Sequence, residues 1–241
     1  MARSRGLPWL SGATVGPDRP LSEQIYGQLR DAIVTGAIKP DTAVQEPLVA
    51  EHFGVSRTPV REALLRLRGD GLVNIKKQSG TFVAPIDPAL VEEGMLVREA
   101  LEPRVAEIAA SRLSSRKLSA LDHETRAMAV AADEPDGLAF IAADDRFHQI
   151  LIEAGGFPHI AEIIGRVNAQ LDRVRHLSAT NRTRARAAVR EHRVLIRSLR
   201  AGDGARSAEL LHLHLQGSWS VIREIVSEKV IDRSARLRET A

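Results

Sequence analysis

The chain has 241 residues, 44% of them apolar but only 3% aromatic, with 34 Lys/Arg, 31 Asp/Glu and no cysteine. Such a length supports one large or two modest domains, with cores built from Leu, Ile, Val and Ala. Disulfides and thiolate metal sites are excluded, and no apolar run approaches a membrane span, so a cytoplasmic protein is expected. Residues 1–19 hold arginines but no adequate signal-peptide core and read as a flexible arm. A first helix is expected over roughly 21–35, with Ile25, Leu29, Ile33 and Val34 on one side and Gly36 ending it. Pro40-Asp41 makes a turn, and a short second helix should run from about Glu46 to Phe53.

Gly54-Val55-Ser56 then forms a tight turn into a third helix. Ser56 is placed as its N-cap, with a hydroxyl able to accept a first-turn N–H. Pro59 falls in that turn, where its missing N–H does no harm. Arg57, Thr58 and Arg61 cluster at the helix N-terminus, the end that usually enters a major groove. Val60, Ala63, Leu64 and Leu67 recur at helical spacing and form the candidate core face. Between Arg57 and Lys77 there are six Lys/Arg against two acids. Two helices joined by a tight glycine-containing turn constitute a helix-turn-helix. The β-prone runs 71–76 and 80–84, separated by Lys77-Gln78-Ser79, add a two-stranded wing with a basic tip. Residues 1–86 carry 11 Lys/Arg and 8 Asp/Glu, whereas residues 87–241 carry 23 of each. The positive excess therefore sits where a polyanion is expected.

The runs LRDAIVTGAIKP, FGVSRTPVREALLRLRGDGLV and SGTFVA, in this order, closely resemble the winged-helix domain of GntR-type bacterial transcription regulators over residues 20–85. The resemblance implies that Ser56, Arg57, Thr58 and Arg61 face double-stranded DNA and that Gly80 belongs to the wing, beside Lys77 at its tip. Arginine suits the role, because its planar fork holds guanine O6 and N7 together or clamps a phosphate. Asp41 stands where these proteins usually place a turn glycine, and a left-handed Asp tolerates that position.

Ala84-Pro85-Ile86-Asp87-Pro88 marks a domain boundary, with a linker over 86–90, since two nearby prolines disfavour a continuous helix. Beyond it, helices are expected at about 88–112, 116–132, 135–154, 157–177, 181–201 and 204–231, separated by capping or helix-stopping residues. The fold class is thus mainly α: a winged helix-turn-helix followed over 91–232 by an antiparallel bundle of six or seven helices, with a tail at 233–241. The run Arg182, Arg184, Arg186, Arg190 reads as a solvated helix face, because acids balance this domain and aromatics for stacking are absent.

Asp144 and His148 stand at i and i+4 on one helical face, where both could bind one ion. His192 and His214 lie in two later helices among apolar residues. Any one of these histidines alone reads as an ordinary side chain. Together they make a three-histidine, one-carboxylate set of the kind a bundle interior can build. The segment from about Val91 to Ile231 also resembles the all-helical effector-binding FCD domain that accompanies such winged helices in the FadR branch. Its marks are Arg98-Glu99-Ala100-Leu101-Glu102-Pro103, the Asp-x-x-x-His pair, a Glu-His pair, and an Ala-Gly-Asp turn followed eleven residues later by histidine. That spacing from Asp203 selects His214 over His212. The resemblance implies Asp144, His148, His192 and His214 as ligands to a divalent ion, with Zn or Ni favoured for imidazoles and one carboxylate.

Open positions on the ion would accept a carboxylate-bearing effector, paired with Arg98; the alternative for Arg98 is an ion pair with Glu102 one turn on. A homodimer on a palindromic operator is expected, because one small winged helix reads too few base pairs. Two rivals are a regulator whose signal is the ion itself and a metal-dependent enzyme. The enzyme is disfavoured by the missing general-base or nucleophile motif and by the DNA module it leaves unexplained.

Overall fold

The computed structural model describes residues 7–134, 137–178 and 181–239, with side chains as far as Ser227. Two compact units divide at Asp87/Pro88. In the first, α1 (Leu21–Val34), α2 (Glu46–Phe53) and α3 (Arg57–Gly69) precede a hairpin of β1 (Val73–Lys76) and β2 (Gly80–Val83). The expected apolar faces are the buried ones: Ile25, Leu29 and Ile33 of α1 meet Val60, Leu64 and Leu67 of α3. The hairpin is antiparallel, pairing Val73 with Val83 and Lys76 with Gly80. Its tip bends through Gln78 at φ 67.

Two features of this unit differ from the sequence reading. The Pro40-Asp41 turn leads into a short run that pairs with β2, as Asp41 and Val44 donate their N–H groups to the carbonyls of Val83 and Thr81 at 2.9 and 2.8 Å. Asp41 itself adopts φ 64, the left-handed geometry its position demands. Residues 7–19 were expected to be a flexible arm, yet they lie against α1. Leu10 is buried, and Gln24 donates to the carbonyls of Gly16 and Arg19 while Gln28 donates to that of Thr14. Leu10 is the one buried apolar residue among 7–19, and the rest of the anchorage is hydrogen bonds to backbone carbonyls, too little pattern to stand out in a sequence. Residues 1–6 of that arm lie outside the described residues.

The chain's single tyrosine, Tyr26, ties α1 to the end of α3. Its hydroxyl donates to Asp70 at 2.7 Å, and the Arg66 guanidinium lies over its ring at 3.8 Å. Burial, reinforced by the Asp70 carboxylate, pushes the phenol up from 10.0 to about 12. A phenol raised in the folded state contributes stability fully below pH 10.0, and loses it as pH climbs toward about 12. An ultraviolet phenolate titration should therefore give one step displaced upward while the unit stays folded, and a step near the ordinary value in denaturant.

The second unit is all helical among the described residues: α4 (Pro88–Ala109), α5 (Ser115–Ala131), α6 (Leu138–Gly155), α7 (Pro158–Val167), α8 (Ala169–Ser178), α9 (Arg182–Arg200) and α10 (Gly204–Glu239). Helix α4 starts at Pro88, inside the expected linker, because proline is well suited to the first helical turn. The segment expected as one helix over 157–177 breaks at Asn168, where α4 comes close. A Cβ at Gly94 would lie 3.0 Å from the Val167 carbonyl oxygen. Helix α10 continues past the expected end at 231 and through most of the proposed tail; residues 240–241 lie outside the described residues, as do 135–136 and 179–180 in two expected breaks. It begins hard against the end of α4, since a Cβ at Gly204 would lie 2.6 Å from the Glu107 carbonyl oxygen. No helix among the described residues is long and apolar enough to cross a membrane.

Candidate nucleic-acid interface and metal centre

Ser56, Arg57, Thr58 and Arg61 are exposed at the start of α3, and Lys77 and Gly80 are exposed on the wing. Among the described residues Arg57, Arg61 and Lys77 pair with no carboxylate. Arg66, by contrast, is spent on Tyr26. Arg66 and Arg68 both occupy the last turn of α3, where cations complement the helix dipole. The run of basic residues thus divides into a free front and a structural rear. Ser56 is the N-cap residue in position, with φ −68 and ψ 166, but its side chain makes no capping bond. The reason is Pro59: it occupies N3, a main donor to an N-cap oxygen, and has no N–H to give. The hydroxyl therefore stays free at a helix N-terminus, beside backbone N–H groups suited to a phosphate.

In the second unit Asp144, His148, His192 and His214 come together, all buried, each offering one donor atom within 4.8 Å of the others. They reach the same point from α6, α9 and α10. Asp144 and His148 share the inner face of α6 with Phe147 and Leu151. His192 lies on the inner face of α9 between Val189 and Ile196, with its ring 4.2 Å from that of Phe147. His214 follows Leu211 on the buried side of α10, and its ring centroid is 4.4 Å from that of His192. His212 is outside the cluster.

Outer partners orient the rings of the cluster. Glu102 accepts from His148 Nδ1 at 2.5 Å, and Glu191 accepts from His214 Nδ1 at 2.7 Å. With Nδ1–H donated outward, Nε2 of each ring carries the lone pair, and His148 Nε2 is buried with no hydrogen-bond partner. Both ring nitrogens of His192 are likewise buried and unpartnered. Such orphaned atoms are costly in a core. Burial, with the neighbouring His214, holds the His192 imidazole well below its usual value, and burial also lowers His214. Both are neutral and able to ligate at neutral pH. Burial alone would raise the Asp144 carboxyl, but the positive charge around it, above all the Arg175 guanidinium bonded to it at 2.8 Å, holds the group ionised and well below the usual carboxylate range. A divalent ion with bonds of about 2.0–2.2 Å spans donors up to roughly 4.3 Å apart. A contraction of a few tenths of an ångström brings this set to that size, so the residues fit a metal ion.

Arg98 sits away from the pocket. Its Nε donates to Glu102 at 2.5 Å, with Nη2 at 3.5 Å from the second oxygen, and both residues are buried. Of the two contacts expected for Arg98, the ion pair with Glu102 is present, and it offsets the several kcal/mol, by order of magnitude, that a lone buried cation costs. Through Glu102 it braces His148. The arginines that do border the cluster were missed in sequence. Arg175 of α8 donates to Asp144 at 2.8 Å, and also to Asp145 and Asp172. Arg184, expected on a solvated face, turns inward to grip Glu191 with two bonds of 2.7 Å. Arg186 is exposed and pairs with Asp133, and Arg182 and Arg190 are exposed. A partly open pocket of about 470 Å³, mouth included, adjoins the cluster, bordered by Asp144, His214, Arg175 and Arg184.

Comparison with known proteins bears on both units. Residues 21–83 match the family profile of bacterial regulatory proteins of the gntR family, and residues 93–217 match that of the FCD domain. The HTH-type transcriptional repressor RspR of Escherichia coli (strain K12) is 32% identical over 214 residues, spanning 89% of this chain and 94% of its own length. Among solved structures, E. coli McbR/YncC superposes with a TM-score of 0.75 at 23% identity, covering 85% of this chain and 97% of that one, and so shows the same fold. A putative transcriptional regulator GntR from Rhodococcus sp. RHA1 superposes with a TM-score of 0.68 at 25% identity, covering 86% and 97%.

Proposed function

Because the chain belongs to the GntR family of bacterial transcription regulators, with an FCD domain behind its DNA-binding domain, we propose that it is a ligand-responsive regulator acting as a homodimer on a palindromic operator. It is a DNA-binding regulator and not an enzyme, as both the family and its relatives indicate. In this reading Arg57 and Arg61 enter the major groove. Ser56 and Thr58 hold the phosphate at the helix start, and Lys77 and Gly80 set the wing on the backbone. Asp144, His148, His192 and His214 hold a divalent ion, Zn or Ni by the donor chemistry. When bound, the ion offers open coordination positions to a carboxylate-bearing metabolite in the adjoining pocket. Arg175 and Arg184 at its border supply positive charge, and helices α8, α9 and α10, which line it, shift with the ligand. That shift alters the spacing of the two winged helices, on which half-site separation depends.

The observation that carries the reading is the buried histidine and carboxylate cluster, with unpartnered nitrogens facing one point beside a pocket. The test is binding to a palindromic fragment by metal-free protein, metal-loaded protein, and metal-loaded protein with carboxylic acids identified by thermal shift. A small change on adding metal and a larger one on adding acid are expected. A large change on metal alone, with none on acid, would assign the signal to the ion. Glu191→Ala should weaken metal affinity about 10–100-fold by freeing the His214 ring, the scale for outer partners of metal-bound histidines. Competition against a chelator measures this, and an unchanged constant would remove Glu191 from the centre.

A further inference from the structure

The pocket has two unlike walls. One is hydrocarbon: Phe140 and Ile141 from α6, Ala185 and Ala188 from α9, and Val221 and Ile222 from α10. Ala185 and Ala188 lie one turn apart on the buried face of α9, and their short side chains leave the hollow open. The other wall is polar, but its groups already serve the protein. Ser178 Oγ donates to the Arg175 carbonyl at 2.8 Å. Ser218 Oγ donates to the His214 carbonyl at 3.2 Å and accepts from Arg184 Nη2 at 3.1 Å. Asn181 Oδ1 accepts the Arg184 backbone N–H at 3.0 Å. Arg184 is further occupied by Glu191, and Arg175 by three carboxylates.

A ligand rich in hydroxyls would bring donors and acceptors that few of these groups can answer, and each buried mismatch weakens binding. A hydrocarbon body asks nothing of the polar wall and gains from contact with the apolar one. We propose that the effector is a short monocarboxylate with an unsubstituted aliphatic body. Its acid group lies at the Asp144 and His214 end and its chain against Ala185, Ala188 and Phe140. This rests on the reading of the pocket as the effector site, and adds the chemical class of the occupant.

Titration calorimetry of the full-length, metal-loaded protein tests it, with the straight-chain acids from acetate to hexanoate and with gluconate. Gluconate matches hexanoate in carbon count and charge but carries hydroxyls along its chain. Affinity should rise about fourfold per methylene until the hollow is filled, and hexanoate should exceed gluconate by at least about tenfold, the effect of one unmatched buried hydroxyl. Gluconate binding as tightly as hexanoate, with no dependence on chain length, would overturn the aliphatic body while leaving a carboxylate site in place. Binding by none of the acids would remove the effector site itself and this inference with it. Ala188→Leu should abolish the gain with chain length while leaving metal per chain unchanged in elemental analysis. Ala188→Val serves as the milder filling should the leucine variant fail to fold, and an undiminished chain-length gain in a folded variant would refute the placement.

Discussion

Replacing His192 with alanine should strip the second unit of the proposed metal ion, a loss larger than the roughly 10–100-fold effect of disturbing an outer partner. His192 is fully buried, and among the described residues neither of its ring nitrogens has a hydrogen-bond partner. The control is His212→Ala. His212 is two residues from His214 and about 200° around the helix, outside the cluster. Elemental analysis after dialysis should show metal retained with His212 replaced and lost with His192 replaced. Equal losses, or full retention in folded His192→Ala, would dissolve the assignment. The His192 variant should also melt lower, because its ring packs on Phe147 at 4.2 Å and its removal leaves a cavity.

Arg61→Ala should weaken operator binding by about 1–3 kcal/mol if the guanidinium reads a base edge, with discrimination between operator and competitor duplex falling too. Arg61 is exposed one turn beyond Arg57, and among the described residues no carboxylate pairs with it. Arg68→Ala removes the same charge from the last turn of α3, where a cation acts on the helix dipole, and should change stability by a few tenths of a kcal/mol with little effect on specificity. Fluorescence anisotropy with operator and scrambled fragments separates these outcomes. Equal effects of the two substitutions would mean that the front of α3 carries charge alone.

The readable parts of this chain are those in which chemistry is local. The turn Gly54-Val55-Ser56 and the alternation of Arg57 and Arg61 with Val60 and Leu64 lie within three turns of helix, so their roles follow from spacing. The i, i+4 placement of Asp144 and His148 was visible for the same reason. Glu102 and His148, by contrast, are 46 residues apart and meet only because α4 packs on α6. Arg175 reaches Asp144 from a helix 31 residues on, and nothing in its neighbourhood distinguishes it from a surface arginine. Arg184 was misread because its partner Glu191 is two turns away on the same flank of α9, a spacing easily lost among alternating arginines. The missing Ser56 cap could have been foreseen, since Pro59 at N3 is plain in the sequence.

Gly204 has a reach well beyond its own contact. With no room for even a methyl group against Glu107, it acts as an end stop for α10, and the height of every side chain along that helix is measured from it. His214 lies ten residues on, about 15 Å up the axis. A slip of α10 by one turn would carry that imidazole about 5.4 Å along the bundle, farther than any metal–nitrogen bond can stretch. The place of the third imidazole in the cluster is thus fixed at the far end of the helix, by the absence of a side chain.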